Sequence, residues 1–268
     1  MKIVAFGDSW VWGDELSDDN VEKRESVNIT GLIRNHYNIE TLNFSVNGGS
    51  LDEILFQLMI YFESDLYNPN DLILIGLTSP VRYFHYNNIL KSGLRFPSWD
   101  YNSFKNWGDK KLTNQEDYKT WWNLNLKYNI NGNNDILNYT KCVLSIKSLL
   151  SNYSNRYIVW QSIDGQMYDF IDKTFEPLMF WYYNSNEQVH DEPCKVFDKF
   201  YLNKILNKGT TDKQVWLNII EPSWKEWLEN NHNNKDVFFK QNFHPNELGI
   251  KLWFEGFLKK YIDNNLDI

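Results

Sequence analysis

The sequence has little cysteine, no excess of positive charge and no long apolar run. Its two cysteines, Cys142 and Cys194, cannot build a disulfide framework, and neither has a C-x-x-C partner. They give no argument for an oxidising compartment. Lys and Arg number 27 against 35 Asp and Glu, a net charge of −8, and no basic run stands out. Phosphate neutralisation needs clustered cations, so nucleic acid is not an expected partner. No apolar stretch approaches the ~20 residues of a membrane helix. The apolar residues Ile3 to Phe6 are too few for a signal-peptide core. A cytoplasmic protein is therefore expected, in the host cytoplasm if the source is viral, with no membrane partner. Among five histidines no two stand at a metal-ligand spacing, so neither a metal site nor a cofactor is expected.

What remains is ordinary globular material, 42% hydrophobic and 23% charged over 268 residues. That length suits one large domain carrying insertions. Aromatic residues reach 17%, with 12 Trp, and Asn is abundant.

The apolar run Lys2 to Phe6, ended by Gly7, reads as a buried strand. Glu40 to Val46 alternates weakly and reads as a second. Gly48 and Gly49 follow, then Ser50-Leu51-Asp52-Glu53, a capping box. Behind it Leu51, Ile54, Leu55, Leu58 and Phe62 recur at helical spacing. Asp71 to Leu77 is a third strand, Asp135 to Tyr153 a helix, and Arg156 to Ile163 a fourth strand. A last helix is expected from Pro245, a favoured first helical residue, to about Ile262. Residues 81–134 and 166–235 lack periodicity and read as aromatic-rich insertions, although Ser223 to Glu226 inside the second is another capping box. Alternating strands and helices predict a three-layer α/β/α sandwich with a mostly parallel central sheet, one domain spanning residues 1–268. In such sheets ligands bind beyond the carboxyl ends of the strands, which points to Gly7 onward, Ser45 to Ser50 and Gly76 to Arg82.

At the first of these places stands Gly7-Asp8-Ser9. A serine at a strand end is a nucleophile where a base lies within hydrogen-bond reach, although Gly, Asp and Ser are also ordinary turn formers. His244, in Asn242-Phe243-His244-Pro245-Asn246, is the natural base, fixed just before a helix; otherwise it is a capping histidine. His36, His85, His190 and His232 lack such context. Gly48-Gly49, ahead of a capped helix, supplies backbone N–H groups suited to an oxyanion, or simply a turn. Arg82 could meet an anionic substrate group or pair with a surface acid. The tryptophans from Trp99 to Trp227 suit sugar stacking, but packing beneath long loops is the plainer account.

In this order the pieces resemble the SGNH (GDSL-type) hydrolase family. Phe6-Gly7-Asp8-Ser9 is similar to its first block, Asn43 to Gly48 to its second, and His244-Pro245 with Gly249 to its last. The resemblance implies a flavodoxin-like sandwich and a serine esterase that removes an O-acyl group, acetyl among them, from a carbohydrate or small molecule. Ser9 would be the nucleophile and His244 the base. Oxyanion donors would be the Ser9 and Gly48 N–H groups, with Asp8 serving the strand-end turn beside them. The aromatic, Asn-rich style resembles phage-encoded members. Two positions depart from the family. Its third block carries Asn where this chain has Thr78, which offers a hydroxyl donor instead. Its last block carries Asp three residues before the histidine, where this chain has Gln241. Gln241, through its side chain or backbone, is the first expectation for the group orienting His244, and an acid such as Asp164 or Glu221 the second. The alternatives are a non-catalytic binding protein on the same scaffold, or an acyltransferase using the same Ser-His pair. Substrate identity and oligomeric state are not legible.

Overall fold

Ile3–Phe6, three of them β-prone, form β1, and all four are buried. The computed structural model describes residues 1–17, 20–79, 82–87, 92–97, 132–154, 156–163, 219–220, 222–232, 239 and 244–266. β1 pairs in parallel with β2 (Thr41–Asn43) on one side and β3 (Leu72–Leu77) on the other. Beyond β3 lie β6 (Tyr157–Gln161) and β7 (Ile219–Ile220), also parallel. The order β2-β1-β3-β6-β7 is that of a doubly wound sheet whose connections reverse direction between β1 and β3.

Alternation along the strands feeds two cores. Val4, Phe6, Ile73, Ile75, Leu77 and Val159 face one layer, with α4 (Leu51–Phe62) and α5 (Gly132–Tyr153). Ile3, Ala5, Leu72, Leu74, Ile158 and Trp160 face the other. That second layer holds α1 (Ser9–Trp12), α3 (Ile29–Tyr37), α6 (Trp224–Asn231) and the C-terminal run. The run comprises α7 (Glu247–Trp253), a π-helical turn (Phe254–Leu258) and α8 (Lys259–Leu266). A sheet covered on both faces is the expected home of near-continuous apolar strands. The α/β/α architecture read from the sequence is thus the one observed.

Several boundaries differ. The segment from Ser9 to Tyr37 carries three helices, α1, α2 (Val21–Val27) and α3, where the strand–helix alternation of the sequence called for one helix without fixing its bounds. Asn20 and Asn28 cap the latter two, their side chains accepting from Lys23 and Gly31 backbone N–H. The second stretch read as insertion, up to residue 235, contains β7 and α6, both parts of the layered core. The capping box at Ser223 and Glu226 forms and starts α6. Within the first, β4 (Arg82–Asn87) and β5 (Ser92–Pro97) make an antiparallel hairpin, a sheet of its own lying against α4. Most of both stretches lies outside the described residues. The last helix begins at Glu247 rather than Pro245, because the Asn246 side chain accepts from the Gly249 N–H and makes Asn246 the cap. No helix among the described residues is long and apolar enough to cross a membrane.

Candidate active site

The carboxyl end of β1 turns directly into α1. Asp8 is the N-cap of that one-turn helix, and its buried side chain accepts from the Trp10 N–H at 3.0 Å. Asp8 therefore builds the turn that presents Ser9, whose side chain starts the helix at the sheet rim. Packing holds α1 from below: Trp10 and Val11 are buried, and Trp10 meets Trp224 edge-on with ring centroids 5.5 Å apart. Trp224 in turn stacks on Trp253 of α7, 4.2 Å between centroids. One aromatic stack thus joins the helix bearing Ser9 to the C-terminal run that follows His244.

The result is contact across 235 residues of chain. His244 Nε2 lies 2.9 Å from Ser9 Oγ. On the far side of the ring, Nδ1 lies 3.1 Å from Glu15 Oε2. A carboxylate only accepts, so Nδ1 carries the proton and Nε2 is left to accept from the serine hydroxyl. Both side chains are largely screened from solvent, at 12% and 18% exposure for His244 and Glu15.

Glu15 was not among the sequence candidates. Its position comes from the end of α1, where Gly13 caps the helix in the left-handed region (φ 89°) and Asp14 N–H closes back on Ser9 O at 2.9 Å. Glu15 itself has φ 61°, a conformation that costs a non-glycine residue about 1–3 kcal/mol and clusters at functional sites. The sequence shows the acid but not this turn; the one available signal was an acidic pair closely following the serine. Asp14 also reaches the ring, its Oδ2 standing 3.5 Å from Nε2. Gln241, first choice for the orienting group, lies outside the described residues, as do Asp164 and Glu221.

The chain is structurally similar to lipolytic proteins. A member of the lipolytic protein G-D-S-L family from Veillonella parvula DSM 2008 aligns over 97% of this chain and 99% of its own, at 13% identity and a TM-score of 0.44. The lipase Lip_vut3 from a goat rumen metagenome aligns over 97% of both chains, at 14% identity and a TM-score of 0.41. No protein-family model and no curated protein matches the sequence.

Of the remaining candidates, Gly48 and Thr78 follow β2 and β3, the two strands that flank β1. After β2 the chain continues beside β1, with Val46 N–H donating to Gly7 O at 3.0 Å. This lays the turn holding Gly48 against the first block: a Cβ on Gly49 would stand 3.2 Å from Gly7 O and 3.5 Å from Asp8 Cα. Gly48 adopts φ 69° in that turn. Asn47, in the same turn, donates from Nδ2 to Asp14 Oδ1 at 2.9 Å. Thr78 follows β3 directly and is fully buried; its hydroxyl has no hydrogen-bond partner among the described residues, while its carbonyl accepts from Gln161 Nε2 at 3.0 Å. Arg82 begins β4 opposite Pro97, and its side chain lies outside the described set. Of the tryptophans, Trp160 and Trp224 are core residues. Among the described residues no group of three or more His, Cys, Asp or Glu is arranged to hold a metal ion.

Proposed function

We propose that this protein is a serine ester hydrolase in which Ser9, His244 and Glu15 act as nucleophile, base and orienting acid. The observation that carries the reading is the line Ser9 Oγ–Nε2 at 2.9 Å and Nδ1–Glu15 at 3.1 Å, assembled from opposite ends of the chain. Ser9 Oγ attacks the ester carbonyl carbon while its proton passes to Nε2. Glu15 accepts the Nδ1 hydrogen bond, fixes the tautomer and stabilises the imidazolium that forms. The oxyanion is held by the Ser9 and Gly48 N–H groups and by the Thr78 hydroxyl, whose lack of a partner among the described residues leaves it a donor to spare. Collapse of the intermediate returns the proton to the leaving alcohol and leaves the acyl group on Ser9. Water then attacks that carbonyl by the reverse route.

The substrate class is an O-acyl ester of a carbohydrate or another small alcohol. The test is labelling with a fluorophosphonate probe, which reacts only with an activated serine. Wild-type protein should be labelled and Ser9→Ala should not. Absence of labelling in both would favour a binding protein without turnover.

A further inference from the structure

Resting on that reading, we infer that Asp14 positions the attacking water in the second half-reaction and so favours hydrolysis over transfer of the acyl group to an alcohol. Two atoms set the geometry. Nε2 of His244 and Oδ2 of Asp14 are 3.5 Å apart, and both line the side of the ring that carries Ser9. Once Ser9 is acylated, its Oγ has no hydrogen to give, and Nε2 becomes the acceptor for the next nucleophile. An oxygen about 2.8 Å from each of these atoms sits at the apex of a triangle on that base. Water meets the demand with its two hydrogens, one toward Nε2 and one toward Oδ2. An alcohol has one hydroxyl hydrogen. If it donates that hydrogen to Nε2, its carbon substituent is turned toward a carboxylate; if it donates to Asp14, Nε2 cannot deprotonate it.

Asp14 is itself held. Its backbone N–H is tied to Ser9 O, and its Oδ1 accepts from Asn47 Nδ2 at 2.9 Å, which directs Oδ2 to the histidine. In the step, the water oxygen bonds to the acyl carbon and one water proton moves to Nε2. That proton then passes to Oγ as the C–Oγ bond breaks, and a carboxylic acid leaves. Asp14 accepts a hydrogen bond throughout and takes no proton.

Asp14→Asn is the informative variant. Asn47 would keep its donor on the new amide oxygen, so the amide NH2 would face Nε2 and could not accept from water. The measurement is the partition of an activated acetyl ester between acetic acid and acetylated glycerol, at fixed glycerol, with Ser9 labelling by fluorophosphonate followed in parallel. The expected result is a transfer-to-hydrolysis ratio raised about tenfold, the scale of one lost charge-assisted hydrogen bond, with acyl-enzyme accumulating. An unchanged ratio in a variant that still labels overturns the inference and leaves the serine-hydrolase reading standing. Loss of labelling in the unsubstituted protein would instead sink that reading. Should Asp14→Asn not fold, Asn47→Ala removes only the anchor of Oδ1. A ratio raised severalfold there supports the proposal, and an unchanged ratio overturns it.

Discussion

At the scale of single residues, the proposed function turns on Glu15. It faces Nδ1 of His244 from a left-handed backbone position (φ 61°) that only a well-determined turn would hold. Glu15→Gln keeps the shape but offers Nδ1 either an amide oxygen or an opposing N–H. Turnover of an activated acetyl ester should fall by about 10²–10⁴, as when the carboxylate of a serine triad is lost, with thermal stability nearly unchanged. Steady-state kinetics beside a melting curve separate the two effects. A loss of less than threefold would mean that another group orients the ring. Ser9 and His244 were legible in the sequence because each sits at an element boundary that punctuation residues mark, Gly7 before one and Pro245 after the other. Glu15 was not legible, because its direction depends on the Gly13 cap and on the φ it adopts in consequence. Position in the sequence favoured Gln241 instead.

At the scale of elements, the same contrast recurs. β1, β3, β6 and α4 were readable because short apolar runs ended by punctuation residues, and a capping box, are strong local signals. α2 and α3 were not, since Val21–Val27 has no apolar stripe and Gly31 interrupts Ile29–Tyr37. Only their asparagine caps announced them. β7, two residues long, is defined by pairing with β6 and has almost no pattern of its own. The seating of α1 on the sheet depends on two missing side chains, at Gly7, where a Cβ would lie 2.4 Å from Val11 Cγ2, and at Gly76. A Cβ at Gly76 of β3 would lie 2.5 Å from Val11 Cγ2 and 2.9 Å from Ser162 Oγ. Gly76→Ala must therefore push the helix that carries Ser9 off the strand. The expected cost is about 1–3 kcal/mol in chemical denaturation, the usual range for overpacking, together with reduced labelling of Ser9. Stability equal to that of the parent would show that α1 can shift without consequence.

At the scale of the whole molecule, two buried layers clamp one sheet, and Cys142 reports on the clamp. Its thiol, on α5, is fully buried beside Asp52 of α4, and its pKa is pushed up to about 12, first by desolvation and then by the Asp52 carboxylate. Because the reactive form is the thiolate, Cys142 should resist iodoacetamide at pH 8 in native protein and react once denaturant opens the fold. Mass spectrometry of the peptide containing Cys142 reads this directly, and rapid modification of native protein would contradict the packing described. The pairing of Ser9 with His244 has a further consequence, in the order of synthesis. The serine leaves the ribosome 235 residues ahead of the histidine, a wait of roughly 10–50 s at common elongation rates. For most of that interval Trp10 also lacks Trp224, which it meets edge-on, and Trp253, which stacks on Trp224, follows His244 in the chain. A nascent or prematurely terminated chain thus displays the serine without the means to activate it. On the proposed function, esterase activity would then appear only when the segment carrying His244 docks against α1, making it a direct readout of that docking step.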